Sequence, residues 1–361
     1  MHVEAGERRD FLPAFAEALV RAGAEQVLIE EGTGSGMGLS TAEYAGPRIE
    51  VGTYEDCLAA DLVVVIRCPE DEVLVGMRPG TVLMAMLHYR TRPDRATLLD
   101  ELGVRAFSLD AIVDDAGRRQ VEVLEMVAWN GVQAAFHEIA LRHPGFAHPS
   151  RRPLRVTCLG SGAVGGLAVH AATRYGDPAL REELVSKSVP GVEVTVVDFD
   201  LTWHEDYMLD RLERTDLLID ATHRRTPQLP VVPNAWLAAL PHDAVILDLA
   251  GDPYDPTAVP PLVKGVEGIP HGDLDQWVFR ADDPAFDRVP VPAANRRLAL
   301  SCRAWPGLRP RECMEVYGSQ IEPFASLLLS RPSLDLDVEH GTYEERALAR
   351  GEVKTWLAHA T

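Results

Sequence analysis

The fold is decided by residues 154–166, whose sequence is LRVTCLGSGAVGG. Its first six residues have the apolar and β-branched character of a buried strand, and residues 167–174 have that of a helix. Between them, Gly160, Gly162 and Gly165 form a GxGxxG motif. In this context they permit a tight turn, close approach of a diphosphate to the backbone, and packing of the helix on the strand. The motif therefore predicts a Rossmann-type dinucleotide-binding fold, with the diphosphate at the helix N-terminus.

The next predicted strand, residues 192–197, ends in Asp198. A carboxylate there can accept the hydroxyls of an adenosine ribose and repels a 2′-phosphate, which favours NAD over NADP. Asp198 lies 33 residues after Gly165 rather than about 20, because residues 177–191 are predicted to be an insertion. The predicted cofactor contacts lie on the glycine motif and at strand ends: Gly160, Ser161, Gly162, Ala163, Val164, Gly165, Asp198, Ala221, Thr222 and Leu249.

The N-terminal third predicts a second unit of the same class, because short apolar runs alternate there with helical patterns. The runs predicted to be strands are 27–30, 62–66, 82–87 and 104–108. A long helix predicted over 121–141 and the connector 148–153 indicate a domain junction. We therefore expect an α/β fold with two Rossmann-like domains, doubly wound parallel sheets and a cleft between them. The glycine-rich segment 32–38 leads into no helix and is predicted to be a flexible surface loop.

Composition excludes several classes of function. The 361 residues suffice for two domains, and 35 basic against 55 acidic residues give a net charge of −20, which disfavours nucleic acid and membranes as partners. Five scattered cysteines without a CxxC pair predict free thiols and a cytoplasmic protein. No HExxH or HxxxH spacing occurs, so no catalytic metal is predicted.

Four stretches carry a resemblance to a known family. They are Gly6-Glu7-Arg8-Arg9 followed by Leu12-Pro13, then Leu87-His88, then the glycine motif with Leu247-Asp248-Leu249-Ala250-Gly251-Asp252, and finally Trp305-Pro306-Gly307-Leu308-Arg309-Pro310-Arg311-Glu312. With these the chain resembles the alanine dehydrogenase/pyridine nucleotide transhydrogenase family. Within that family it is most similar to the lysine-forming saccharopine dehydrogenases and the carboxyethylornithine synthases.

The resemblance implies a substrate domain of residues 1–128 and 305–361 around an NAD-binding domain of residues 129–304. It implies an NAD(P)-dependent oxidoreductase that acts on the CH–NH bond of an amino acid or of an N-substituted, opine-like amino acid. The substrate would be a small amino or oxo acid, possibly dicarboxylic, and the protein a possible homo-oligomer. Two alternatives stay open: a simple alanine-type dehydrogenase, and a non-catalytic NAD-binding module that serves a partner protein.

The resemblance also assigns residues. His88 is the expected acid–base, Arg9 (rather than Arg8) the expected ligand of the substrate carboxylate, and Asp252 a further catalytic candidate. Arg67 stands where the family has a lysine. Since a guanidinium does not release its proton, Arg67 is expected to bind a second acidic arm or stabilise an oxyanion. Arg119 and Tyr89 are secondary substrate-binding candidates. Each of these residues also has a purely structural interpretation.

Overall fold

The computed structural model describes residues 7–89, 92–224 and 226–360. Gly6, the first residue of the N-terminal motif, lies outside the described residues. The chain divides into two compact units. Unit 1 contains both chain ends, up to Val123 and from Arg309, and unit 2 contains Leu124–Leu308. The sequence placed these boundaries at 128/129 and 304/305, a few residues away.

The elements alternate along much of the chain. The strands are β1 (Val27–Glu30), β2 (Ile49–Gly52), β3 (Leu62–Arg67), β4 (Val82–Met86), β5 (Arg105–Ser108), β6 (Leu154–Leu159), β7 (Val192–Val197), β8 (Leu217–Asp220), β9 (Val245–Asp248), β10 (Val278–Phe279) and β11 (Leu298–Ser301). The helices are α1 (Pro13–Arg21), α2 (Tyr54–Leu58), α3 (Asp71–Leu74), α4 (Pro93–Glu101), α5 (Leu124–Arg142), α6 (Ala163–Ala172), α7 (Pro178–Ser186), α8 (Glu205–Glu213), α9 (Pro310–Ser330), α10 (Tyr343–Gly351) and α11 (Val353–Ala360).

Unit 2 contains a six-stranded sheet in the order β10-β11-β9-β8-β6-β7. All neighbours are parallel except β10 and β11. The order reverses at β6, because the chain continues to β7 on one side and then returns to β8 on the other. In parallel sheets, ligands bind outside the carboxyl ends of the strands at such a reversal. The glycine motif follows β6 and therefore lies at this point.

The register of the sheet aligns the strand ends. Leu159 pairs with both Val197 and Asp220, so β6, β7 and β8 finish at the same level. Asp248 pairs with Asp220 and with Ser301, which extends the same edge to β9 and β11. Buried side chains pack on both faces of the sheet, with α5 and α6 on one face and α8 on the other. This edge is where unit 2 presents its polar residues.

Unit 1 contains two parallel sheets, β1-β2 and β3-β4-β5. The α/β prediction is confirmed, although the described strands of unit 1 form two small sheets rather than one doubly wound sheet. Helix α9 returns from the C-terminal part of the chain to pack on α1, where Phe15 lies in van der Waals range of Gly318. The second chain end is therefore part of the unit 1 core.

Several local predictions need correction. Helix α6 begins at Ala163, inside the glycine motif, rather than at residue 167, and the insertion at 177–191 contains α7. Helix α7 begins where the Asp177 side chain accepts hydrogen bonds from two N–H groups of its first turn. The segment 32–38 is a packed turn rather than a free surface loop. Asp10 accepts the Gly34 N–H at 2.8 Å, and Met37 is buried.

Candidate functional site

The glycine turn after β6 has the shape that a dinucleotide diphosphate requires. Gly160 has a φ of 90°, and a Cβ there would lie 2.8 Å from the carbonyl oxygen of Ala221. A Cβ on Gly165 would lie 2.1 Å from the carbonyl oxygen of Gly160, so that only glycine lets α6 approach β6 this closely. A Cβ on Gly162 would meet nothing within 4 Å. Gly162 therefore borders open space into which a diphosphate fits.

The first turn of α6 supplies the groups that bind an anion. The N-cap residue is Gly162, which has no side chain to accept hydrogen bonds from the first turn, and that turn contains no acidic residue. The N–H groups of this turn and the positive end of the helix dipole therefore favour a phosphate. Ser161 and Ala163 are exposed, and Val164 is half-buried. The residues present thus fit a dinucleotide diphosphate.

Asp198 lies directly after β7, beside the glycine turn. Its Oδ2 accepts a hydrogen bond from the Ser161 hydroxyl, and its Oδ1 accepts the Phe199 N–H at 2.8 Å. The hydrogen bond from Ser161, and then that from Phe199, lowers the pKa of Asp198. The carboxylate is therefore ionised at neutral pH, the state that accepts ribose hydroxyls and repels a 2′-phosphate.

Three neighbouring strands of unit 2 end in a buried polar cluster. Asp220, Asp248 and Ser301 are the last residues of β8, β9 and β11 and are all buried. Lys264 is 1% exposed, and its Nζ lies 2.6 Å from Asp248 Oδ2. Ser301 donates its hydroxyl to the same oxygen at 2.9 Å. A lysine and three strand ends therefore meet under the edge that carries the glycine turn.

The two carboxyl groups of this cluster have opposite pKa shifts. Burial favours a raised pKa for Asp248, but the charge and hydrogen bond of Lys264 outweigh burial and lower it. For Asp220, burial and the charge of Asp248 raise the pKa to about 6. The Thr222 hydroxyl donates to Asp220 Oδ1 at 2.7 Å, whereas Oδ2 has no hydrogen-bond partner among the described residues. An unsatisfied buried oxygen favours the protonated form.

Asp252, the predicted catalytic carboxylate of unit 2, lies in the turn after β9. Its Oδ2 is 2.6 Å from Nη2 of Arg224, whose side chain is 6% exposed. Arg224 also donates to the carbonyl oxygens of Pro227, Leu229 and Val263. Arg224 therefore holds Asp252 in place, while Asp252 itself is 39% exposed.

The remaining predicted cofactor contacts differ in their surroundings. Ala221 and Thr222 are half-buried directly after β8, and Ala221 lies against Gly160. Leu249 is 5% exposed, and a Cβ on Gly131 would lie 2.4 Å from its Cδ2. The Leu249 side chain is thus a core residue packed on α5. The prediction is corrected accordingly, since only the backbone of Leu249 lies at the strand edge.

In unit 1, His88 follows β4 and is held by a carboxylate that follows β5. Asp110 Oδ2 lies 3.3 Å from His88 Nδ1, and Asp110 Oδ1 accepts the His88 backbone N–H at 3.2 Å. Ser108 donates its hydroxyl to the same Oδ1 at 2.6 Å. Burial favours a raised pKa for Asp110, but the hydrogen bond and charge of His88 outweigh it and lower the pKa. Asp110 is therefore an ionised group that orients the imidazole through Nδ1.

The backbone at His88 is also unusual. Its φ is 51°, a left-handed conformation that residues other than glycine rarely adopt. Holding a side chain in such a conformation costs about 1–3 kcal/mol and is typical of functional sites. The side chain is 55% exposed. This geometry makes His88 accessible as well as oriented.

Two predicted substrate-binding arginines converge on one carboxylate. Arg9 donates from Nε and Nη2 to the two oxygens of Glu7 at 2.8 and 2.7 Å. Arg67 Nη2 lies 3.6 Å from Glu7 Oε2. Burial favours a raised pKa for Glu7, but Arg9, with a smaller contribution from Arg67, lowers it to about 2. Glu7, Arg9 and Arg67 therefore form one charged cluster in unit 1.

Helix α9 borders this cluster with Cys313 and Tyr317. Burial raises the pKa of Cys313 to about 11 and that of Tyr317 to about 12, with the nearby charge of Arg9 opposing both shifts. Both side chains are therefore neutral at physiological pH. Arg119 is close enough for its charge to act on Tyr317, and its Nε lies 4.0 Å from Glu122. The structure thus places Arg119 at the margin of the arginine cluster.

The prediction for Tyr89 is not supported by its surroundings. Tyr89 is 2% exposed, its ring stacks on Trp356 with centroids 4.9 Å apart, and its hydroxyl donates to the Arg350 carbonyl at 3.3 Å. Consecutive residues point their side chains in different directions, so His88 is exposed while Tyr89 is buried. Tyr89 is a core residue of unit 1.

Comparisons with known proteins agree with these features. Residues 3–129 match the family model described as alanine dehydrogenase/PNT, N-terminal domain. An alanine dehydrogenase from Halomonas elongata is 23% identical over 317 residues, which cover 81% of this chain and 84% of the relative. The N-terminal part of the chain, residues 3–129, therefore matches the N-terminal domain of the alanine dehydrogenase/PNT family.

Solved structures show the same fold. An L-alanine dehydrogenase has a TM-score of 0.70 and 19% identity, covering 97% of this chain and 92% of its own. A transhydrogenase from Sinorhizobium meliloti has a TM-score of 0.62 and 16% identity, covering 91% of this chain and 92% of its own. The predicted two-domain Rossmann-type fold is thereby confirmed for this chain. The predicted likeness to the saccharopine branch stays a prediction.

Several residues of the site were not predicted from sequence. Asp110 and Ser108 orient His88, Arg224 holds Asp252, and Lys264 neutralises Asp248. One signal was available for Asp110, because it follows the strand next to the one that precedes His88. The irregular segments that carry Arg224 and Lys264 contain no motif. Their roles depend on tertiary contacts alone.

Three further findings concern the part of the chain that the structure describes. All five cysteines are free thiols. No group of three His, Cys, Asp or Glu side chains is arranged to hold a metal ion within residues 7–89, 92–224 and 226–360. Among the helices that the structure describes, none combines the length and apolar character needed to cross a membrane.

Proposed function

We propose that this protein is an NAD-dependent dehydrogenase that interconverts an amino acid with a 2-oxo acid and an amine. The observation that carries the proposal is the glycine turn at the switch point of the sheet, next to the ionised Asp198. It supports binding of a dinucleotide whose adenosine ribose has no 2′-phosphate. The match of residues 3–129 to the alanine dehydrogenase/PNT family and the arginine cluster of unit 1 support an amino acid as the substrate.

Each unit has a separate task in this proposal. The N–H groups at the start of α6 bind the diphosphate, Asp198 accepts the ribose hydroxyls, and Asp252 contributes a carboxylate at the same strand edge. When bound, the cofactor supplies a nicotinamide ring that exchanges a hydride with the substrate carbon. In unit 1, Glu7 holds Arg9 through Nε and Nη2, and Arg9 is the residue proposed to bind the substrate carboxylate.

Proton transfer is assigned to His88. The ionised Asp110 holds Nδ1, so Nε2 is the ring nitrogen that exchanges a proton with the substrate. Asp110 is a positioning residue, because its two oxygens contact the Nδ1 and the backbone N–H of His88. Arg67 cannot share this role, because its guanidinium stays protonated at every relevant pH. Its task is electrostatic.

Two observations bear on the substrate class, and they favour different candidates. The alanine dehydrogenase from Halomonas elongata and the solved L-alanine dehydrogenase favour a simple alanine-type reaction. Arg67 beside Arg9 favours a second candidate, in which the substrate is a secondary amine with two carboxylates. Two guanidinium groups and one Glu7 carboxylate leave a single net positive charge, which balances one substrate carboxylate. A second acidic arm would also need Arg119, at the margin of this cluster.

An assay of both substrate classes tests the proposal. The purified full chain is incubated with NADH, pyruvate and either ammonia, lysine or ornithine, and oxidation of NADH is followed. Turnover with ammonia identifies the alanine-type reaction, and turnover with the diamino acids identifies the opine-type reaction. Tight NADH binding with no turnover on any amine would contradict the proposal and favour a non-catalytic NAD-binding module.

Variants of Arg67 test its electrostatic role. Arg67→Ala is expected to raise the KM of a dicarboxylic substrate about 10- to 100-fold, because a charged hydrogen bond contributes about 1.5–3 kcal/mol. Arg67→Lys is expected to improve turnover with ammonia, since a lysine can exchange a proton. Arg21→Ala is the control, because Arg21 forms an ion pair with Glu17 on the exposed face of α1. Unchanged kinetics in Arg67→Ala would refute a role in substrate binding.

A further inference from the structure

Residues 263 and 264 hold the turn after β9 by two independent routes. Through the first, Lys264 binds Asp248 Oδ2 while Asp248 Oδ1 accepts the Gly251 N–H at 3.0 Å. Through the second, the Val263 carbonyl accepts a hydrogen bond from Arg224, which pairs with Asp252. The two routes therefore end at consecutive residues of one turn. We call residues 249–252 the β9 turn.

The backbone of the β9 turn is fixed at both of its sides. The N–H groups of Leu249 and Ala250 donate to the Asp220 carbonyl at 2.8 and 3.1 Å. Gly251 has a φ of 68°, a left-handed conformation that a glycine adopts without strain. A hydrogen bond from the Gly251 N–H to Asp248 thus selects one of several backbone conformations that this glycine could adopt. The conformation of Gly251 in turn sets the position of the next residue, Asp252.

The chemistry of Lys264 sets it apart from the other cations of the chain. The sequence contains three lysines, Lys187, Lys264 and Lys354, against 35 − 3 = 32 arginines. Lys264 is 1% exposed, its Nζ contacts Asp248 and Ser301, and it lies 6.0 Å from the centre of the Tyr254 ring. A compact ammonium fits where a planar guanidinium would need more space and more acceptors.

Stability alone is a weak explanation for this pair. A buried ion pair loses its hydration, and apolar replacements of similar volume are often as stable or more stable. What a hydrogen-bonded ion pair does provide is a fixed geometry. Here the fixed atom is Asp248 Oδ1, which receives the Gly251 N–H. We propose that Lys264 is a positioning residue that, through Asp248, sets the conformation of the β9 turn and the orientation of Asp252.

The consequence for catalysis rests on the proposed function, whereas the effect on the turn does not. Hydrogen exchange of the unliganded full chain therefore gives the first test. In Lys264→Met, the amides of residues 249–252 are expected to exchange at least about tenfold faster than in the wild type. Lys187→Met is the matched control, because Lys187 belongs to the same unit and forms an exposed pair with Glu183. Unchanged exchange at the β9 turn in a folded Lys264→Met would overturn the proposal.

A double variant separates positioning from stability. Lys264→Met alone leaves Asp248 charged and buried, so the unit can fail to fold. Asp248→Asn with Lys264→Met removes both charges and keeps an oxygen for the Gly251 N–H. We expect the double variant to regain much of the wild-type melting temperature but to retain fast exchange at residues 249–252. If the double variant regains both the melting temperature and slow exchange at residues 249–252, the Lys264–Asp248 pair has only a structural role and the proposal is overturned.

Kinetics of the same double variant test the effect on the reaction. A misplaced Asp252 is expected to lower kcat by up to about 100-fold, with a smaller change in the KM of the amino acid bound by unit 1. Equal kcat in the wild type and the double variant would contradict this effect. If the wild-type chain neither binds NADH nor turns over an amino acid, the proposed function fails. The exchange experiment still decides whether Lys264 positions the β9 turn.

Discussion

His88 shows how one residue acquires a chemical role from its neighbours. The imidazole alone could donate or accept a proton at either ring nitrogen. Asp110 lies 3.3 Å from Nδ1, and its pKa is lowered by the hydrogen bond and charge of His88 despite burial. In the proposed mechanism, the ionised carboxylate therefore leaves proton exchange to Nε2. A left-handed backbone at His88 adds strain that only the surrounding contacts maintain.

The first prediction for individual residues concerns the His88–Asp110 pair. His88→Gln is expected to lower kcat about 10²- to 10⁴-fold, the usual contribution of a general acid–base. Asp110→Asn is expected to lower kcat less than His88→Gln does, because it removes the carboxylate that orients the ring but leaves the imidazole in place. Steady-state kinetics between pH 5 and pH 9 measure both. His340→Gln is the control, since the exposed His340 forms a similar Nδ1 contact with Asp337 at 3.0 Å. A loss below about tenfold in His88→Gln would remove His88 from the mechanism.

A second prediction concerns Asp198 and the choice of cofactor. Asp198→Asn is expected to raise the Kd of NADH about 10- to 100-fold, because hydrogen bonds to a charged acceptor contribute about 1.5–3 kcal/mol. It should also reduce the preference for NADH over NADPH, since the repulsive charge is gone. Fluorescence titration with both cofactors measures the two effects. Asp200→Asn, two residues away and exposed, should leave both affinities unchanged. Equal affinity of Asp198→Asn and wild type for NADH would contradict the ribose assignment.

At the scale of elements, three glycines of one motif have separable roles. Gly165→Ala is expected to lower the melting temperature, because its Cβ would lie 2.1 Å from a β6-end carbonyl oxygen and overpacking costs about 1–3 kcal/mol. Gly162→Ala is expected to fold normally but to lose dinucleotide affinity, since its Cβ would enter the open space of the site. Gly166→Ala is the control, because its Cβ would meet nothing within 4 Å in a helix. Thermal melts and NADH titrations of all three variants check these outcomes. Equal melting temperatures in Gly165→Ala and Gly166→Ala would refute the packing argument.

The elements also show what the sequence could and could not predict. The strand–glycine–helix unit was predictable, because each of its constraints comes from residues within one short stretch, as the φ of Gly160 and the closeness of Gly165 illustrate. The direction of the side chains that follow a strand end could not be predicted. Leu249 and Tyr89 both follow strands at the correct edge, yet each packs into a core that only the tertiary fold defines. For the same reason no local pattern pointed to Lys264 or Arg224.

At the scale of the whole molecule, a chain with net charge −20 still buries two adjacent carboxyl groups in one unit. Lys264 neutralises Asp248, but among the described residues Asp220 forms no ion pair and keeps one oxygen without a hydrogen-bond partner. Burial and the neighbouring charge raise the pKa of Asp220 to about 6, above the ordinary value of 3.8. The folded state therefore binds this proton more tightly than the unfolded chain does. Its contribution to stability is fully present below pH 3.8 and is lost as the pH rises through about 6.

Asp220→Asn should remove this pH dependence, because the amide keeps an oxygen for Thr222 and carries no charge. We expect the variant to melt above the wild type at pH 8, by about 2–4 °C for each kcal/mol gained, and the difference to shrink as the pH falls below 6. Thermal melts from pH 4 to pH 8 measure the difference in melting temperature between the variant and the wild type. Because the other titratable groups are the same in both proteins, their contributions cancel in this difference. Asp216→Asn is a useful contrast, since Asp216 pairs with Arg152 and its loss should destabilise the unit at neutral pH. A difference between Asp220→Asn and wild type that does not change between pH 5 and pH 8 would show that Asp220 does not titrate near pH 6 in the folded protein, which would contradict this assignment.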